Sequence, residues 1–193
     1  MRITGGVLSG RVIDVPQGTK EIRPSMDRMR ESVFACLGDL FGCSFLDIFS
    51  GSGIIAIEAA SRGAARIEAV EQDKLKRNIL LKNVLISPVR INCKFMPAEL
   101  YVKRAKERGD SLNGDVKTKS PEPFDIIFLD PPFTYQFKWE LTANIASSKL
   151  ALEGTKILIH RPRQDYLKSE IINLEKTDSR EYGRSVVDFF KVK

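Results

Sequence analysis

The stretch Ser44–Ala60, S-F-L-D-I-F-S-G-S-G-I-I-A-I-E-A-A, limits the fold more than any other part of the chain. An apolar run, Phe45-Leu46, meets the acid Asp47, then a short turn, Ser50-Gly51-Ser52-Gly53. Ile54, Ile57, Glu58 and Ser61 then recur at helical spacing. Strand, tight turn and helix in that order form the repeating unit of an open α/β sheet, where ligands sit at the carboxyl ends of the strands. Gly51 and Gly53 lack Cβ atoms, so the backbone can bend sharply and approach a ligand closely. The helix that follows points free N–H groups into the same crevice.

The spacing D-x-F-x-G-x-G lacks the third glycine of a dinucleotide fingerprint, and the chain has no G-x-x-x-x-G-K-[ST] phosphate loop. A glycine turn without a phosphate-gripping lysine suits a ligand without a pyrophosphate. S-adenosylmethionine, which combines adenosine, an amino-acid tail and a sulfonium, is such a ligand. A tight βα turn in an unrelated α/β protein has the same appearance, so further positions are needed. One is Glu71, in the acidic end of the expected second strand, Ala65–Asp73, and about 20 residues past the turn, where nucleotide-binding α/β units place a carboxylate against ribose hydroxyls. A carboxylate offers two acceptors to the two donors of a diol.

The second chemical motif is Phe124–Phe133, F-D-I-I-F-L-D-P-P-F. An apolar strand, Ile126 to Leu129, ends at Asp130, two prolines and an aromatic ring. Pro131 and Pro132 stiffen the turn and remove two N–H donors, leaving carbonyls to accept. Asp130 also accepts, and Phe133 offers a π face to a flat base. Together they fit an exocyclic amine, whose two protons need two acceptors. Such an amine is a poor nucleophile because its lone pair is delocalised into the ring. Holding both protons favours a pyramidal nitrogen, so catalysis here is positioning plus electrostatics. Two prolines ending a strand are also ordinary punctuation; it is the glycine turn and Glu71 upstream, in the expected strand order, that favour the chemical reading. The single histidine, His160, is expected to end a strand rather than act as a base.

With 193 residues and 42% hydrophobic content the chain suits one domain with a substantial core. No apolar run approaches the length of a membrane span, and the N-terminus has no signal-peptide core. Cys36, Cys43 and Cys93 lack C-x-x-C spacing, which argues against disulfides or a metal site and for a cytoplasmic protein. The net charge of +6 is compatible with a polyanionic partner. Residues 74–98 carry six cations and no acid until Glu99, which is equally a solvated helix face followed by a strand.

In chain order, residues 1–20 read as a β-hairpin extension bearing Arg2 and Arg11, and 21–193 as the main domain. A helix is expected from about Met26 to Leu40, capped by Ser25. Arg23, Arg28 and Arg30 near its start are candidate phosphate contacts, or else surface partners of Asp27 and Glu31. Further helices are expected at Lys74–Leu85, Glu99–Lys106 and Phe137–Lys149. Strands are expected at Val89–Phe95 and Thr155–His160, the latter with Arg161 at its carboxyl end. A mobile loop at 107–122 and a terminal antiparallel pair, Ile171–Leu174 with Ser185–Phe190, complete the chain.

These residues resemble the bacterial 16S ribosomal RNA guanine-N2 methyltransferases of the RsmD type. The resemblance rests on Arg2-Ile3 with Gly10-Arg11, R-P-S-M-D-R-M-R-E at 23–31, L-D-I-F-S-G-S-G at 46–53, E-A-A-S-R-G-A at 58–64, V-E-Q-D at 70–73, D-P-P-F at 130–133 and Y-G-R-S at 182–185. D-P-P-F alone is shared with amino-methyltransferases acting on DNA adenine, other RNA guanines and protein glutamine. The resemblance implies a class I S-adenosylmethionine-dependent methyltransferase fold: a Rossmann-like, mostly parallel seven-stranded sheet with an antiparallel C-terminal strand. It implies S-adenosylmethionine as donor and, as substrate, one guanine of 16S rRNA in the small ribosomal subunit or its assembly intermediate. By position, Asp47, Gly51 and Gly53 would contact the methionine part and Glu71 the ribose, with Phe49 and Gln72 beside them. Pro97 replaces the usual polar contact to adenine, leaving main-chain groups of Met96 and Ala98. Asp130, Pro131, Pro132 and Phe133 would hold the guanine, and Arg2, Arg11, Arg23, Arg28, Arg30 and Arg161 the RNA. No metal, no membrane and a monomer are expected. A DNA adenine-N6 or other RNA amino-methyltransferase is the alternative.

Overall fold

Strand β1, Ser44–Ile48, is buried at every position, the mark of a central strand covered on both faces. The computed structural model describes residues 1–15, 24–107, 122–165 and 170–193, the side chains of residues 24 and 25 excepted. Around β1 lie β2 (Arg66–Val70), β3 (Ile91–Lys94), β4 (Ile126–Leu129), β5 (Lys156–Pro162), β6 (Leu174–Tyr182) and β7 (Ser185–Val192). Their order is β3-β2-β1-β4-β5-β7-β6. The first five are parallel neighbours, and β7 runs antiparallel between β5 and β6. The chain therefore winds outward from β1 in one direction and returns to β4 to wind in the other. That reversal leaves a crevice at the carboxyl ends of β1 and β4. The expected mostly parallel, seven-stranded class is what the chain forms.

Among the described residues, five helices flank the sheet: α1 (Pro24–Leu37), α2 (Ile54–Ser61), α3 (Arg77–Val84), α4 (Ala98–Glu107) and α5 (Lys138–Ala146). Phe45, Ala69, Phe128 and Leu158 pack with Met29, Val33 and Phe34 of α1 and with α2 on one face. Leu46, Ile48, Ile127, Leu129, Ile157 and Ile159 pack with α4 and α5 on the other. Each such buried aliphatic or aromatic side chain contributes about 1.5–3 kcal/mol. All eight residues of α2 are buried, so it is held by packing rather than by an amphipathic stripe.

Several boundaries differ from the sequence expectation. Residues 1–15 form no hairpin ladder but a loop closed by one bridge, Arg2 to Val12, with a 3₁₀ turn at Gly6–Leu8. The loop turns inward because Ile3, Leu8 and Ile13 are buried in the main core. Leu8 N–H donates to Ser61 Oγ of α2 at 2.9 Å. α1 begins at Pro24 and ends at Leu37, and α3 starts at Arg77; Leu75 ahead of α3 is 89% exposed while Leu80 is buried. β6 starts where the expected strand ended, at Leu174, and Ile172 is exposed. Residues 16–20 of the expected hairpin, Arg23 and 108–121 of the expected loop lie outside the described residues.

Candidate functional site

Side chains alternate across a strand, and Asp47 stands in register with Ala69 of β2 and Phe128 of β4, which in turn pairs with Leu158 of β5. Phe45, Ala69, Phe128 and Leu158 face α1 and α2. Counting two residues on from each gives Asp47, Glu71, Asp130 and His160. All four therefore project on one side: Asp47 and His160 within the last three residues of β1 and β5, Glu71 and Asp130 just past the ends of β2 and β4. They line a single cleft of about 1200 Å³ with Phe49, Ser50, Gly51, Gln72, Pro131, Pro132 and Phe133. Met26 and Met29 of α1 and Tyr182 to Ser185 at the β6–β7 turn form its other walls.

Asp47 is 1% exposed. Its Oδ2 accepts from Ser50 Oγ at 2.6 Å and from the Ala56 N–H in the first turns of α2 at 3.2 Å. Its Oδ1 is buried without a partner among the described residues. Desolvation, helped by the charges of Asp130 and Glu71, pushes its carboxyl up to about 7 against the Ser50 and Ala56 hydrogen bonds. A buried carboxylate with one orphaned oxygen is a ready site for a cationic or donor-bearing ligand group.

Glu71 is 4% exposed and closes the turn from the β2 side. One oxygen accepts from Gly51 N–H at 2.7 Å and the other from Asp73 N–H at 2.8 Å. Each carboxylate oxygen keeps a further lone pair for a ligand hydroxyl. Gly51 sits at φ +57, and a Cβ built on it would meet only the Phe49 carbonyl, at 3.9 Å; the space in front of it is open. Gly53 serves differently. Its φ is +83, and a Cβ there would lie 2.6 Å from Leu80 Cδ1. It lets the start of α2 pack on α3 and does not line the cleft.

At the β4 corner, Asp130 N–H donates to Ile48 O at 3.1 Å, tying the D-P-P-F turn to β1. Asp130 Oδ1 lies 2.8 Å from His160 Nδ1. The Phe133 ring, 49% exposed, stands edge-on to the imidazole with centroids 5.5 Å apart. One expectation for the prolines needs correcting: Pro132 O accepts from Tyr135 N–H at 2.8 Å, because the turn closes on itself. The Pro131 carbonyl is left as the acceptor beside Asp130.

The structure brings Asp47, Phe49, Gly51, Glu71, Gln72 and Asp130 to Phe133 together, and leaves others apart. Met96 and Ala98 are not among the residues lining the cleft, and Ala98 is buried in α4 packing. Arg2, Arg11 and Arg28 are exposed. Arg2 and Arg28 share a groove with Tyr182 and Gly183, next to the cleft, along with Asp27, Glu31 and Glu181. Arg30, expected among the RNA contacts, is 1% exposed. Its Nη2 donates to Asp27 at 2.6 Å and to Arg2 O at 2.8 Å, and its Nε to the fully buried Glu58 at 3.3 Å. It joins α1, α2 and the N-terminal loop. Arg161, also expected on RNA, is one residue past His160 and so points to the opposite face, where Nε donates to buried Asp188 at 2.5 Å near the Trp139 ring. Of the basic run at 74–98, Lys82 pairs with Asp14, Lys76 lies by Glu71 and Asp73, and Arg77 covers the Phe95 ring. His160, Tyr182 and Arg184 line the cleft without having been picked as site residues. For His160 the signal was available: its strand alternates, and its place beside Asp130 follows from the register.

Known proteins resemble this chain over most of its length. The family model described as "Conserved hypothetical protein 95" covers residues 1–191. The "Putative rRNA methyltransferase YlbH" of Bacillus subtilis is 31% identical over 193 aligned positions, 99% of this chain and 98% of that one. The "Ribosomal RNA small subunit methyltransferase D" of Escherichia coli is 33% identical over a stretch spanning 69% of this chain and 60% of the relative. The solved structure "Putative methyltransferase yhhF from Escherichia coli" superimposes with a TM-score of 0.81 at 24% identity, over 100% of this chain and 98% of that one. The chain belongs to the Conserved hypothetical protein 95 family, that of the RsmD-type proteins.

Proposed function

We propose that this protein is an rRNA methyltransferase that moves a methyl group from S-adenosylmethionine to the exocyclic N2 of a guanine in 16S rRNA. Family membership supports rRNA methylation. The observation that carries the chemistry is the shared cleft, which both Asp47, with its orphaned oxygen, and Asp130 line.

When bound, S-adenosylmethionine supplies a methyl group made electrophilic by its sulfonium. The residues fit its parts. Asp47 Oδ1 suits the ammonium of the amino-acid tail, the open space at Gly51 admits its backbone, and Glu71 keeps lone pairs for the ribose hydroxyls. Asp130 and the Pro131 carbonyl accept the two protons of the target amine, and Phe133 stacks on the base. With the methyl group passed from the donor's sulfur to the amine nitrogen, Asp130 would take up the amine proton that is released. Removing water from the cleft strengthens each of these contacts. Exposed Arg2, Arg11 and Arg28 supply phosphate contacts. The substrate is the small subunit or an assembly intermediate, and the enzyme acts as a monomer.

Labelled donor is incubated with small subunits from a strain lacking the mark, and the rRNA is digested to nucleosides. Label in N2-methylguanosine is expected. Label at adenine N6, or transfer to DNA in preference to rRNA, overturns the guanine assignment.

A further inference from the structure

We infer that His160 is a positioning residue for Asp130, resting on the proposed methyl transfer: it holds one carboxylate oxygen so that the other faces the substrate amine. The register of β4 on β5 leads to the pairing. Phe128 pairs with Leu158 and Leu129 with Ile159, so the next pair along the two strands is Asp130 and His160. β5 is locked on its other side by β7, where His160 stands opposite Val187. His160 is 5% exposed and has little room to rotate.

A carboxylate accepts and does not donate, so at Nδ1 the imidazole carries the proton and donates it to Asp130 Oδ1. Nε2 is then the bare nitrogen. It is buried and has no partner among the described residues. The tautomer therefore follows from the contact with Asp130. Native proteins rarely leave such an atom without a purpose. Among the described residues the imidazole makes one hydrogen bond, the bond to the Asp130 carboxylate. Its edge contact with Phe133 ties the same ring to the base-stacking side chain. One imidazole thus sets the angle of the acceptor and of the platform together, which is the support a site needs when the reacting group sits at a strand end.

Because His160 is the only histidine in the chain, labelling the intact protein with ¹⁵N-histidine reports on this residue alone. The nitrogen spectrum is expected to show the Nδ1–H tautomer, and Asp130→Ala is expected to move it toward the ordinary Nε2–H form. An Nε2–H spectrum in the unaltered protein, or no change on Asp130→Ala, overturns the inference whatever the substrate is. Kinetics then reads the consequence. His160→Leu is expected to lower single-turnover methyl transfer about 10- to 100-fold with donor affinity within about twofold, an interaction made only in the transition state. His160→Asn, whose amide can donate near the Nδ1 position, is expected to recover most of that rate. Equal loss of rate and donor affinity in a folded His160→Leu, with no recovery in His160→Asn, makes His160 merely structural and overturns the inference. No transfer by the unaltered protein to any rRNA strikes instead at the proposed function and leaves the spectroscopic result decisive for the pairing.

Discussion

Two carboxylates end neighbouring strands of the same sheet and face the same cleft, yet their surroundings are opposite. Asp47 is 1% exposed, bonded through one oxygen to Ser50 and the α2 backbone, and orphaned at the other. The Asp130 side chain is 30% exposed and braced by an imidazole. The dry corner makes an ionised carboxylate costly until a cation arrives, which suits a donor held in one fixed pose. The open corner keeps a carboxylate steady while leaving an approach for a bulky base. On the proposed function, burial, not residue type, separates the carboxylate that would bind the donor from the one that would position the amine.

The strongest way to break this contrast is to alter the open corner. Asp130→Asn should lower the rate at saturating donor about 10³-fold, the size expected for losing a preorganised acceptor. Calorimetry should find donor affinity within a few-fold; a matching loss of affinity would merge the two corners. Asp47→Ala should do the reverse, weakening donor binding about 100-fold, as when one partner of a buried charge pair is removed. The rate at saturation should fall far less. Asp47→Asn should leave the donor-free protein at least as stable at pH 8, since it deletes a desolvated charge; a clear drop in melting temperature would argue for a structural carboxylate.

Titration sharpens the contrast further. Asp47 is pushed from 3.8 when unfolded to about 7 in the fold. The folded state then binds more protons than the unfolded one between these values, so this group's contribution to stability falls as pH rises from about 4 to 7. Donor binding has the opposite sign, because an ammonium favours the carboxylate. Affinity should drop toward tenfold per pH unit below about 7, with proton release visible at pH 6 by calorimetry in two buffers. A flat profile would mean that Asp47 is already ionised without ligand. The smallest effect is at the rim. Arg28→Ala should weaken RNA binding a few-fold and reduce the salt slope by about 1, whereas a salt-independent loss would indicate misfolding.

Much of the site could be read from residues because strand-end chemistry is local. The expected β4 run matches the observed Ile126–Leu129, and the glycine turn, Glu71 and D-P-P-F meet in one cleft. Apart from Pro132, whose carbonyl is taken by the nearby Tyr135 N–H, the misread residues depend on distant partners. Arg28 and Arg30 are two residues apart and look alike, but only Arg30 meets Glu58, 28 residues away, and is buried by it. Arg161 and His160 differ by one strand position, which sends one to α5 and the other to the cleft. The N-terminal loop looked like a free hairpin because nothing within residues 1–15 shows that Ser61 and Glu58 of α2 will receive it.

The most direct measurement is the single-turnover methyl-transfer rate as a function of donor concentration for Asp47→Asn and Asp130→Asn side by side. Raising the donor should restore most of the rate in Asp47→Asn and none of it in Asp130→Asn. If both variants recover, or neither does, the division of labour between the two corners is wrong.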